Sequence, residues 1–215
     1  MDDLVGAVVR TLGEKPGVLS NTYIVFTSDN GFHHGEHRIQ QGKARPYEES
    51  VRVPLVIRGP DAVAPAPPVV QPGSSTDKLV LNTDYFPTFM DLAVTQTPSY
   101  VDGRSLLPLL KARPSDPPPP WRTAILIEGR GSGSDPEIDV DRNYNAVRTS
   151  TGKYVEYEGG FRELYNLSPP DTPGADPNEV TNSYNPTTPP TDLVSRLQAL
   201  KSCAGSGCFT AENGP

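Results

Sequence analysis

The sequence predicts an α/β domain followed by a small antiparallel β-sheet with one helix. A helical apolar pattern at the start of the chain leads into a β-branched and aromatic run over residues 21–27. Four consecutive prolines, Pro117 to Pro120, then form an extended spacer. Beyond this spacer, strand-like segments alternate with turn signals. We therefore assign residues 1–115 to the α/β part and residues 121–215 to a separate small subdomain.

The α/β part is predicted as helix, strand, polar segment, strand and helix. Residues 1–13 have apolar side chains at the spacing of one helix face. Residues 21–27 show no polar alternation, which is typical of a strand buried on both faces of a parallel sheet. Val51 to Arg58 is a second strand candidate, in which Pro54 favours a strand end or an edge. Thr83 is expected to cap the next helix.

The small subdomain is predicted as an antiparallel sheet that carries one helix. Its strand candidates are Thr123–Ile127, Tyr144–Thr149, Lys153–Tyr157 and Glu163–Leu167. Residues 192–200 follow a helical pattern with leucines on one side, so we expect this helix to cover the sheet.

Composition narrows the class of protein. The 215 residues include 25 prolines and 19 glycines, which excludes a coiled coil, a helical bundle and a repeat solenoid. The net charge is −7 without a basic stripe, so no nucleic-acid partner is expected. Apolar stretches are far shorter than the roughly 20 residues of a membrane span, so no membrane partner is expected either.

Two cysteines, Cys203 and Cys208, lie five positions apart near the end of the sequence. A short disulfide is one interpretation, and a two-ligand metal site is the other, although no histidine lies nearby. A disulfide indicates an oxidising compartment. Met1 to Leu4 shows no basic region leading into an apolar run, so the sequence contains no visible signal peptide and its localisation stays open.

A polar cluster follows the first predicted strand, where α/β folds place their ligands. Asp29 and Asn30 offer a carboxylate and an amide oxygen, which suit a hard cation such as Ca²⁺. The alternative is that residues 28–31 form only a turn, because Asp, Asn and Gly all favour turns.

The three histidines, His33, His34 and His37, lie within five residues and allow a zinc site or solvent-exposed loop positions. The glycines around them disfavour the helix that a shared zinc ion would need. Lys43 is either a surface lysine or a point-charge clamp that stabilises a leaving oxygen.

The order and spacing of several segments resemble the sulfatase family, in its glucosamine-6-sulfatase-like and arylsulfatase-like branch. The matching segments are TSDNG (27–31), HHGEH (33–37), GK (42–43), YEESVRVPLVIRGP (47–60), NTDYFPTFMDLA (82–93), DGRSLLPLL (102–110), AVRTSTGKYVEY (146–157) and ELYNLS (163–168). The resemblance implies a partial alkaline-phosphatase-like α/β sandwich followed by a small antiparallel subdomain. It also implies hydrolysis of sulfate esters on a sugar or an aryl group.

The resemblance further implies roles for individual residues. Asp29 and Asn30 correspond to ligands of the active-site Ca²⁺, and Asp29 would also orient the nucleophile. Lys43 corresponds to the lysine that contacts the sulfate and is the catalytic candidate, and His37 would face the substrate. The expected partner is a sulfated small molecule or glycan. Two alternatives stay open: a non-catalytic remnant that binds an anion or a partner, and a phosphate or phosphonate ester hydrolase of the same superfamily.

The sequence also departs from the family pattern. A sulfatase takes its formylglycine nucleophile from a Cys-x-Pro/Ala-x-Arg sequence, and neither Cys203 nor Cys208 begins one. The aspartate pair that opens family sequences is missing, and two oxygen ligands are fewer than the 6–8 that Ca²⁺ takes. We therefore expect this chain to represent the C-terminal portion of a sulfatase and to be inactive without an N-terminal segment. The cysteine pair and the resemblance together imply that the parent protein is exported.

Overall fold

The structure, a computed structural model, describes residues 1–60, 68–131 and 143–214. Its helices are α1 (Asp2–Gly13), α2 (Glu48–Val51), α3 (Tyr85–Leu92), α4 (Leu107–Lys111), α5 (Thr191–Ser202) and α6 (Gly207–Asn213). Its strands are β1 (Ile24–Thr27), β2 (Leu55–Arg58), β3 (Ala124–Gly129), β4 (Tyr144–Thr149), β5 (Gly152–Tyr157) and β6 (Arg162–Asn166). Across these ranges every helix falls short of the length and apolarity that a bilayer crossing requires.

The described chain divides into two compact units, each built from several segments. The first comprises Met1–Ser28, Pro54–Thr76 and Leu106–Pro119. The second comprises Asp29–Val53, Asp77–Ser105 and the chain from Pro120 onward. The predicted division of the chain into residues 1–115 and residues 121–215 stays a prediction.

The first unit contains α1, α4 and a two-stranded sheet. Its strands β1 and β2 are antiparallel, with Ile24 opposite Arg58 and Thr27 opposite Leu55. The predicted parallel pairing is therefore wrong for the described strands. A continuous apolar run indicates that both faces of a strand are buried. It does not indicate whether the neighbouring strand is parallel or antiparallel. The helix predicted over residues 1–13 is confirmed as α1, none of whose residues is buried.

The second unit is organised around a four-stranded antiparallel sheet in the order β3-β4-β5-β6. The predicted strands and the helix over residues 192–200 are confirmed in position, but the prediction of a single helix is wrong, because α6 follows α5. Helix α5 packs against one face of the sheet, where Leu197 and Leu200 meet Val147 and Tyr154. The described chain thus combines helices with two antiparallel sheets.

The other face of this sheet is polar and charged at its rim, although its centre is apolar. Strand alternation places Ala146 of β4 opposite Val155 of β5 at this centre. The same alternation directs five polar or aromatic side chains to this face, namely Arg148, Lys153, Tyr157, Glu163 and Tyr165. We call it the loop-facing side, because it contacts the polar segment described below.

Buried charges join the remaining segments of the second unit. Arg122 donates two hydrogen bonds to Asp84, at 2.5 and 2.7 Å, and forms an ion pair with Glu212 at 3.1 Å. Arg104 also contacts Glu212. Asp84 in addition accepts the backbone N–H of Leu81 at 2.8 Å. The predicted capping role of Thr83 is wrong, since the carboxylate of Asp84 makes the hydrogen bond at this helix start.

Cys203 and Cys208 form a disulfide between α5 and α6. Gly205, in the loop that the disulfide closes, donates its N–H to Asp102 at 2.5 Å. Its left-handed backbone and its close approach to the carbonyl oxygen of Ser99 leave no room for a side chain. The disulfide loop is thereby attached to the DGRS segment at 102–105.

Candidate active site

The Asp29-Asn30-Gly31 segment follows β1 and lies against the backbone of residues 49–50. Gly31 donates its N–H to the carbonyl oxygen of Ser50 at 2.9 Å. A Cβ atom at Gly31 would lie 1.9 Å from the carbonyl oxygen of Glu49, so only glycine allows this approach. The amide nitrogen of Asn30 donates to the carbonyl oxygen of Gly31 at 2.8 Å, which makes Oδ1 the atom that could bind a cation. The side chain of Asp29 is exposed.

Replacing Gly31 by alanine is expected to lower the free energy of unfolding by about 1–3 kcal/mol, because the new methyl group forces the two backbones apart. Urea unfolding monitored by circular dichroism measures the effect. Gly159→Ala is the matched control, since no atom lies within 4 Å of the added Cβ there. Equal stability of the two variants would contradict the described contact.

A loop closed by residues 33 and 42 carries the histidines. His33 donates its backbone N–H to the carbonyl oxygen of Gly42 at 2.8 Å, and Lys43 follows directly. Three residues other than glycine adopt left-handed backbone around this loop, namely His37 (φ 55°), Arg38 (φ 61°) and Ala44 (φ 60°). Such conformations cost on the order of 1 kcal/mol each and persist where surrounding contacts fix them. Strain of this kind concentrates at functional sites.

His37 is held by a carboxylate and an aromatic ring. Its Nε2 lies 3.1 Å from Oε2 of Glu49, and its ring stacks on Tyr47 with 3.9 Å between the centroids and 10° between the planes. His33 is fully buried and faces both rings edge-on, at 5.9 Å from His37 and 6.1 Å from Tyr47. Burial lowers the pKa of His33, so this imidazole is neutral at neutral pH. The arrangement fixes the orientation of the His37 ring.

Tyr47 links this cluster to the loop-facing side of the sheet. Its hydroxyl donates to Glu163 at 3.1 Å, and Tyr157 donates to the other oxygen of the same carboxylate at 2.9 Å. Burial, reinforced by the charge of Glu163, raises the pKa of Tyr47 to about 12. The hydroxyl of Tyr47 therefore stays protonated and remains a hydrogen-bond donor.

All four predicted site residues lie in one stretch of the second unit, residues 29–50, which we call the site segment. Contacts connect the Asp29–Asn30 end to residues 49–50, and Glu49 in turn pairs with His37. Lys43 follows the closure of the loop and its side chain is exposed. The sequence interpretation missed the structural roles of Tyr47 and Glu49, although both belong to the YEES motif that it had singled out.

The donor set of the site segment fits part of a calcium site. Asp29 and Asn30 would supply oxygen ligands of the kind that Ca²⁺ prefers. In the part of the chain that the structure describes, no group of three or more His, Cys, Asp or Glu side chains could hold a metal ion. Two ligands leave most of the 6–8 positions of Ca²⁺ to other groups.

The helices and sheets define the class as an alkaline-phosphatase-like fold, and in this chain an Asp-Asn pair follows a strand and a lysine follows a glycine. Comparison with known proteins gives the family. The sequence model of the family Sulfatase matches residues 1–95. The chain is 33% identical to the N-acetylglucosamine-6-sulfatase of Homo sapiens over 98% of its own length and 40% of that protein. The chain is thus a sulfatase-family sequence, and it matches the C-terminal part of its relatives.

Solved structures share the fold of this chain. One protein, solved in complex with its substrate D-glucosamine-2-N,6-O-disulfate, is 31% identical with a TM-score of 0.74. The match covers 92% of this chain and 37% of that protein. A phosphonate monoester hydrolase from Silicibacter pomeroyi is 26% identical with a TM-score of 0.64, and the match covers 81% and 34% of the two chains. The chain thus spans well under half the length of the proteins it matches.

Proposed function

We propose that this chain supplies the Asp29–Lys43 part of a site that hydrolyses sulfate esters, with a sulfated sugar as the substrate class. The observation that carries the proposal is the close packing of the site segment. Its candidate ligands are held next to residues 49–50 by a backbone contact that only glycine at position 31 permits. The site segment lies in the region that the sulfatase family model matches.

Each residue of the segment has a chemical role under this proposal. Asp29 and Asn30 would hold part of a Ca²⁺ ion, which when bound supplies positive charge for a sulfate group. The ammonium group of Lys43 contacts sulfate oxygens and stabilises the charge that develops on the leaving oxygen. His37, oriented by Glu49 and Tyr47, faces the substrate. The attacking group is assigned to no residue of this chain, because the sequence contains no Cys-x-Pro/Ala-x-Arg.

The substrate class follows from the relatives rather than from the site segment itself. The human relative is named N-acetylglucosamine-6-sulfatase, and one solved relative was determined in complex with its substrate, a disulfated glucosamine. Both names support a sulfated glycan or a smaller sulfated sugar as the partner. The disulfide between Cys203 and Cys208 supports export of the protein to an oxidising compartment.

Phosphonate ester hydrolysis is the second candidate reaction. It is favoured by the structural likeness to the Silicibacter pomeroyi enzyme, which shares the fold at lower identity. The two reactions present similar tetrahedral anions to the lysine and the metal, so the site segment alone accommodates both.

A chimera separates the candidates. In it, this chain replaces the matching C-terminal part of the human N-acetylglucosamine-6-sulfatase, which is the part the alignment covers. Rates are measured on an aryl sulfate and on the aryl phosphonate monoester with the same leaving group. We expect the sulfate ester to react faster. A faster phosphonate reaction would favour the second candidate, and a folded chimera without either activity would favour a non-catalytic role.

A further inference from the structure

The site segment is fastened to the C-terminal sheet through three consecutive residues. Pro46 offers its carbonyl oxygen, Tyr47 its hydroxyl, and Glu48 both its carboxylate and its backbone N–H. These groups meet the loop-facing side of the sheet or the loop that follows β6. The segment that carries the candidate ligands thus depends on residues more than a hundred positions further along the chain.

Lys153 of β5 is the centre of this attachment. Its side chain is fully buried, and its ammonium group lies 2.8 Å from the carbonyl oxygen of Pro46, 2.8 Å from Glu48 and 2.7 Å from Glu179. The contact with Pro46 is a hydrogen bond, and the contacts with the two carboxylates are ion pairs. Glu179, itself buried, also accepts the backbone N–H of Glu48 at 2.7 Å. One side chain therefore connects the site segment, the sheet and the loop after β6.

Two cations and two carboxylates meet around Lys153, and Glu163, a further buried carboxylate on this face, accepts the hydroxyls of Tyr47 and Tyr157. Arg148 approaches the carboxylate of Glu48, with Nη2 at 3.1 Å, so two cations face two carboxylates. Tyr165, opposite Lys153 on β6, adds no charge because burial raises its pKa. Removing one member of such a buried set strongly destabilises the fold, because it leaves a buried charge without its partner.

We propose that Lys153 is a positioning residue for the site segment. Its ammonium group fixes Pro46 and Glu48 on the loop-facing side of the sheet, so that the neighbouring Lys43 and Glu49 keep their places. The attachment itself does not depend on the proposed function. Only its purpose, which is to position residues of an ester-hydrolysing site, rests on that function.

The pKa of Glu48 is lowered by its surroundings, whereas the pKa of Glu179 is raised. Burial opposes ionisation of Glu48, but Lys153 and Arg148 outweigh it and hold its pKa at about 2. Burial raises the pKa of Glu179, and Lys153 works against that rise. Loss of Lys153 would leave two carboxylates facing each other with Arg148 alone. Their repulsion grows as pH rises and both ionise, and it disappears when Glu179 takes up a proton.

Hydrogen exchange tests this proposal on the 215-residue chain without any substrate. Protection factors are measured for amides of residues 31–50 and, as an internal reference, of β3 and β4, at pH 5.5 and pH 8. In Lys153→Met we expect protection of residues 31–50 to fall by about tenfold or more, with a larger fall at the higher pH. The reference strands should stay within about twofold.

Three further variants sharpen the test. Lys201→Met is the matched control, because Lys201 lies on the opposite face of the sheet, 3.5 Å from Glu156. It should leave residues 31–50 unchanged. Lys153→Met combined with Glu179→Gln should lose the pH dependence, because one of the facing charges is gone. If Lys153→Met fails to fold, Lys153→Gln undergoes the same two measurements, since it also lacks the charge.

Unchanged protection of residues 31–50 in the Lys153 variant would overturn the proposal. A fall that is equal at both pH values, or equal in the reference strands, would also overturn it, because lost packing alone would explain either result. The exchange experiment involves no ester, so a negative result would leave the proposed hydrolysis untouched. Equally, an inactive chimera would not affect the proposed positioning role of Lys153.

Discussion

Replacing Lys43 by alanine in the chimera is expected to lower kcat/KM for a sulfate ester by about 10²–10³-fold, the usual effect of removing one group that stabilises transition-state charge. Lys43 follows the closed loop and its exposed side chain is available to a ligand. Most of the loss should fall on kcat, because charge on the leaving oxygen develops only as the ester bond breaks.

Steady-state kinetics on a single aryl sulfate measure this effect. Lys43→Arg is an informative companion, because arginine keeps the charge but not the compact point-charge geometry of an ammonium group. Lys111→Ala, an exposed lysine in α4, is the control and should change kcat/KM by less than about twofold. A Lys43→Ala chimera as active as the parent chimera would remove Lys43 from the site.

Replacing Arg122 by leucine is expected to lower the free energy of unfolding by about 3–5 kcal/mol. The side chains of Arg122 and Asp84 are both fully buried, and that of Glu212 is nearly so. Among the residues that the structure describes, removing the guanidinium group leaves Asp84 with backbone N–H partners only, and it leaves Glu212 with Arg104 as its single cation. The loss is large because an uncompensated charge remains buried.

Urea unfolding of the 215-residue chain measures the effect on stability as a shift in the midpoint at constant slope. Arg130→Leu is the matched control, because Arg130 pairs with Glu128 where both side chains are about half exposed or more. That variant should lose less than about 1 kcal/mol. Similar losses for the two variants would show that the Asp84–Arg122–Glu212 cluster contributes no more than a surface ion pair.

Sequence patterns over a few neighbouring residues were sufficient to predict several helices and strands. The strands of the C-terminal sheet, helix α5 and helix α1 could be located from side-chain periodicity and turn residues. The site segment could be located because its polar residues follow a strand and match a family pattern. In each of these cases, the residues that decide the structure are near neighbours in the sequence.

Long-range pairings could not be predicted in this way. The antiparallel partner of β1 lies about thirty residues away, and its run of apolar residues does not encode direction. Asp84 indicates a helix start, and nothing near it in the sequence indicates that its carboxylate also binds Arg122, 38 positions along the chain. Lys153 reads as one residue of an ordinary strand, because nothing next to it indicates that Pro46, Glu48 and Glu179 surround its ammonium group.

The central claim is that the Asp29–Lys43 region forms part of a sulfate-ester site. Turnover of an aryl sulfate by the chimera in the presence of Ca²⁺ tests it most directly, with Asp29→Ala compared at equal thermal stability. We predict turnover by the chimera and its loss, by about 10²-fold or more, in the Asp29 variant. A folded chimera that leaves the sulfate ester intact, or an Asp29 variant that hydrolyses it at the same rate, would contradict the claim.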